Sequence, residues 1–170
     1  MLELSLESTL VRWLGLIVCP TSPGEPLSDL ADGGEGVWAL YMQSGDREID
    51  TSHASRLGVL AERGRSGFEE AGNYRIDVTF ELMTGVDDTA HAGEARATIH
   101  GNRVRALEIA LSAAARPVQL GAMNSVASGL VVDTYGLNPD QPPIDGRDEH
   151  HHATQLRYVF HVAALEAGVV

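Results

Sequence analysis

The 170-residue chain carries 24 acidic and 12 basic side chains, a formal charge of -12, with 44% hydrophobic and only 5% aromatic residues. That length suits one compact domain spanning 1–170, and so negative a surface disfavours nucleic acid and anionic membranes, which need a cationic footprint. All twelve basic residues are arginine, which removes Schiff-base lysines and lysine-bearing phosphate loops, and the single Cys19 excludes an intrachain disulfide or a Cys-rich zinc site.

Leu6, Leu10, Leu14 and Val18 recur every fourth residue with Trp13 and Ile17 beside them, which predicts an N-terminal amphipathic helix. Ser5 is placed to cap its start, and Pro20 to end it and open a long loop over 20–36. The apolar run Leu10 to Cys19 contains Arg12 and follows Glu3 and Glu7, so it reads as neither a leader nor a membrane span, and a soluble protein is expected. Gly33, Gly34 and Gly36 precede Val37–Met42, a predicted buried strand. A dinucleotide fingerprint needs its glycines between strand and helix, so these are turn residues.

After a polar loop over 43–55, Leu57, Val59 and Ala61 alternate with other residues and predict a strand over 56–63. The clearest alternation is Tyr74–Leu82, with five apolar side chains on one face and Arg75, Asp77, Thr79 and Glu81 on the other. Asp87 or Asp88 then caps one major helix running from Thr89 to Arg116, with Gly101 inside it and Pro117 closing it. A strand within Val126–Tyr135, a long polar loop over 136–152 and a last strand over Gln155–Leu165 complete the chain. The order predicts an α+β fold: an antiparallel or mixed sheet covered mainly on one face by the N-terminal helix and the long central helix.

Candidate chemistry is sparse. His150, His151 and His152, preceded by Asp148 and Glu149, are possible metal ligands, and a small metal-dependent hydrolase would recruit His150 and His152 with Asp87 or His91. An acidic solvated loop is the simpler reading, as helix capping is for Asp87-Asp88. His91, His100 and His161 have no nucleophile elbow to serve. Trp13 and Trp38 read as core. Arg96, Arg103 and Arg105, with Glu94 and Glu108, place charges on the central helix, as a solvated face or as intersubunit ion pairs. No catalytic, cofactor-binding or metal residue is assigned.

The N-terminal helix, the run Gly36-Val37-Trp38-Ala39-Leu40-Tyr41, the strand Tyr74–Leu82 leading through Asp87-Asp88 into Thr89–Leu111, and the final strand Arg157-Tyr158-Val159-Phe160-His161-Val162 together resemble the tail terminator proteins of long-tailed bacteriophages. The resemblance covers nearly the whole chain as element order, without an invariant motif. It implies a non-enzymatic virion protein, assembled in the host cytoplasm without a cofactor. Such a protein forms a homo-oligomeric, hexameric ring that ends the tail tube and joins tail to head. Its partners would be the tail tube or sheath protein and a neck or connector protein, with DNA passing through an acidic lumen. Arg96, Arg103 and Arg105 on the helix and Asp148, Glu149 and His150 on the loop are then the expected contacts. At least one of the three long loops is expected to order only against a neighbour. Another head–tail connector would share nearly every one of these features.

Overall fold

The computed structural model describes residues 2–16, 38–42, 55–63, 72–85, 96–147 and 151–165. Helix α1 (Leu2–Leu14) is followed by strands β1 (Trp38–Met42), β2 (Ser55–Arg63) and β3 (Asn73–Gly85), then helices α2 (Arg96–Ala110) and α3 (Arg116–Val126). Strands β4 (Leu130–Leu137), β5 (Ile144–Arg147) and β6 (His151–Ala164) end the described chain. They form one six-stranded sheet in the order β1-β2-β3-β6-β4, with β5 also paired to β6. The sheet is mixed: β1 runs parallel to β2 and every other pairing is antiparallel. The fold is therefore α+β, as its sequence pattern predicts.

Period-two alternation separates the two faces of the sheet. Ile76, Val78, Phe80 and Leu82 of β3 and Leu156, Tyr158, Phe160 and Val162 of β6 are buried inward, beside Leu57, Val59 and Ala61 of β2. From α1, Leu6, Leu10, Trp13 and Leu14 enter this core, each 0% exposed. Burial of such side chains contributes about 1.5–3 kcal/mol each. From α2 come Ala106, Leu107 and Ala110, and from α3 Met123, so the helices share the inner face. In β4 the register shifts between Val132 and Thr134. This bulge lets Val132 and Tyr135 both point inward, where Tyr135 stacks on Phe160 with ring centroids 5.2 Å apart.

The structure corrects several expectations. The helix predicted from Thr89 to Arg116 is two: α2 ends at Ala110, a turn through Ser112 follows, and Pro117 lies in the first turn of α3. Proline lacks the N–H that a first helical turn leaves unpaired, so Pro117 opens a helix where it was expected only to close one. Ser5 lies inside α1 and does not start it. The loop expected over 136–152 is in its described part structured by its own chain. Asn138 bonds back to the backbone of Asp140 and Gln141, and β5 then pairs with β6. The expected loops over 20–36 and most of 43–55, and Asp87, Asp88 and His91, lie outside the described residues.

Two helix side chains close backbone positions along the sheet. Glu7 of α1, 0% exposed, accepts a 2.8 Å hydrogen bond from the Ala61 N–H, two residues beyond the last β2 residue paired with β1. Asn124 of α3 bonds both the N–H and the C=O of Val132 on β4. At these positions the sheet is closed to strand addition.

Candidate functional site

The inner face carries polar groups at one end. Thr84 continues the inward series of β3 past Leu82, and Thr154 begins that of β6; both are buried, at 0% and 3% exposure. Over them lies α2, whose Ile99, His100, Arg103, Ala106, Leu107 and Ala110 form its buried stripe. Two of those positions are polar. His100 bridges the two strands, with Nδ1 2.9 Å from Thr84 Oγ1 and Nε2 2.8 Å from Thr154 Oγ1. Arg103 donates to Thr84 Oγ1 at 3.0 Å, and Thr154 Oγ1 donates to Asp145 Oδ1 of β5 at 2.6 Å.

The ends of this chain fix its direction, because a guanidinium only donates and a carboxylate only accepts. Thr154 gives its proton to Asp145 and so accepts from His100 Nε2–H. A neutral imidazole carries one ring proton, so Nδ1 is left to accept from the Thr84 hydroxyl, whose oxygen also accepts from Arg103. Neutral His100 is thus the Nε2–H tautomer, and α2, β3, β6 and β5 are joined by one polarised series. Burial pushes the imidazole down to about 4; His152 and Arg103 act in the same direction and Asp145 against it.

Between α2 and the β5–β6 ladder opens a cleft of about 420 Å³. Its helical wall is low, made by Ala97, Gly101 and Val104; its floor is His100 and Thr154, and its rim includes Arg105, Glu108 and Arg147. Arg147 and His152 are register partners, as are Asp145 and Thr154, so all four belong to the α2 side of the sheet. The His152 ring centroid is 5.8 Å from that of His100. Its pKa is lowered, first by burial and then by the Arg96 and Arg147 charges.

The predicted contact residues divide. Arg105 is exposed at the cleft rim and Arg96 is half-buried close enough to act on His152. Arg103 does not stand on a solvated face: it is 4% exposed, on the stripe that meets the sheet. Asp148, Glu149 and His150 lie outside the described residues. His151 and His152 project to opposite faces as strand neighbours, and no group of three or more His, Cys, Asp or Glu among the described residues is arranged to hold a metal ion. The network of Thr84, His100, Thr154 and Asp145 escaped the sequence reading, since its members sit on four elements. The available signal was a threonine at a core position of each long strand.

Chemically, both nitrogens of His100 are engaged, so the ring is not poised to take a proton from a substrate. It acts as a strut that fixes α2 on the sheet and shapes the cleft. No protein-family model matches the chain, and comparison with curated proteins finds no significant relative.

Proposed function

We propose that the chain is a structural subunit of a bacteriophage virion, forming a hexameric ring that terminates the tail tube and joins it to the head or neck. The observation that carries this reading is the one-sided cover of the sheet. The helices occupy the inner face, while Arg75, Asp77, Thr79 and Glu81 of β3 and Gln155, Arg157 and Val159 of β6 remain half-buried on the other. A depression of about 510 Å³ on that face collects Glu62, Asp77 and Asp140 with Arg63, Arg75 and Arg157. Such a face offers charges of both signs to a neighbour. With Val132 and Ala61 capped by helix side chains, faces and helix surfaces are the routes left open at those points. Repeated contact between unlike surfaces closes a ring when the rotation permits.

In this role the protein works by shape: a ring seated on the tube end blocks further subunit addition and presents the next interface. No described helix is long and apolar enough to cross a membrane. The test is a mass measurement of the purified protein alone and with tail tube. A species of six times the protomer mass, seated at one end of the tube in particle images, is expected. A chain that stays monomeric under both conditions refutes the proposal.

A further inference from the structure

The cleft between α2 and β5–β6 is lined by two arginines, Arg105 and Arg147, and two carboxylates, Asp145 and Glu108, a balance that the chain as a whole does not have. The protein as a whole is at -12, yet beyond the effect of burial the Arg96 and Arg147 charges act on His152, and Arg103 acts on His100 against Asp145. Arg105 adds another guanidinium at the rim. Of the two carboxylates that line the cleft, Asp145 already accepts the Thr154 hydroxyl, and Glu108 stands one helical turn beyond Val104.

Among the described residues Arg105, Arg147 and the ring nitrogens of His152 make no hydrogen bond or ion pair. They converge from α2, β5 and β6 on a space large enough for a small ligand. Gly101 on α2 lines that space, and an added Cβ there would meet nothing within 4 Å.

We propose that this cleft is a binding site for a small oxyanion, a phosphate or carboxylate group, held by Arg147 and Arg105 with His152 as a third donor. Planar guanidinium groups suit such oxygens, and a neutral imidazole supplies one N–H and, once protonated, two. The inference is independent of the ring proposal. Because the anion offsets the Arg96 and Arg147 charges that oppose protonation of His152, binding and protonation reinforce each other, and affinity rises as pH falls through the His152 titration.

The full-length chain is titrated with inorganic phosphate at fixed ionic strength while the His152 ring is followed by NMR, with acetate and chloride as parallel arms. Expected is a saturable upward movement of the His152 pKa with phosphate or acetate and none with chloride. Arg147→Gln, at an exposed position, weakens the response about tenfold, the scale of one charge-assisted hydrogen bond. Gly101→Leu places a bulky, helix-favouring side chain in the cleft wall and abolishes the response. An equal shift with chloride, an undiminished response in both variants, or no saturation overturns the proposal. So does a shift that grows with protein concentration in the absence of added anion, which would place an acidic side chain of a second copy in the cleft.

Discussion

The side-chain amide of Asn124 occupies the place of a neighbouring strand beside Val132, accepting its N–H at 2.8 Å and donating to its C=O at 3.0 Å. An exposed helix residue thus completes the ladder of β4 on the side away from β6. Asn124→Ala removes both bonds and leaves an open edge. It should lower stability by about 1–2 kcal/mol and speed hydrogen exchange at the Val132 amide. Unchanged exchange there would show that the amide does not protect the edge.

Glu7 does the same for β2 from within the core. Its carboxylate, on a residue 0% exposed, accepts the Ala61 N–H at 2.8 Å. Glu7→Ala strands a buried donor and opens a cavity, at an expected cost of about 2–3 kcal/mol. Glu7→Gln keeps an acceptor oxygen and should cost clearly less. Urea denaturation of the two variants makes the comparison, and equal losses would assign the effect to packing alone.

How far the fold was legible follows from where a pattern is local. The alternation of Ile76, Val78, Phe80 and Leu82, and of Leu156, Tyr158, Phe160 and Val162, marks β3 and β6 because each strand buries one face only. The stripe of Leu6, Leu10 and Leu14 marks α1 for the same reason. Helix α3 was hidden because Met123 is its one fully buried side chain, Gly121 lowers its helix propensity, and Pro117 marks a start as readily as a stop. The cleft was hidden for a different reason. His100, Thr84, Thr154 and Asp145 are joined by long-range pairing of β3 with β6 and β6 with β5, which no local window contains. Arg103 was misplaced because helix charge patterns do not distinguish an exposed arginine from one whose head reaches a buried threonine.

Gly101 is a helical position with room for a side chain: α2 runs through it without interruption, and its added Cβ would meet nothing within 4 Å. Its conformation is not among the positive-φ glycines, which are Gly72 and Gly129 in the described chain. Gly101→Ala should therefore stabilise the protein by about 0.5–1 kcal/mol, through reduced freedom of the unfolded chain and better helix propensity. A loss of stability by thermal or urea unfolding would mean that the cleft wall needs the bare backbone.

Burial and the Arg103 and His152 charges bring His100 from an ordinary value of 6.5 down to about 4 in the folded state. Between those two values the unfolded chain binds the proton and the folded one does not, so acidification favours unfolding. The stability tied to a neutral His100 is complete above pH 6.5, declines as pH falls toward 4, and changes little below that. The span corresponds to a loss on the order of 3 kcal/mol. Protonation would also give Nδ1 a hydrogen facing the Thr84 hydroxyl, which already accepts from Arg103, so the directed series from Arg103 to Asp145 would lose its sense. His100→Gln retains a side-chain amide that bonds without titrating. It should be less stable than the parent at pH 7 and show a shallower decline between pH 7 and 4. Urea midpoints measured across that range decide the matter, and parallel curves for the two proteins would mean that His100 does not govern the acid sensitivity of the α2–sheet contact.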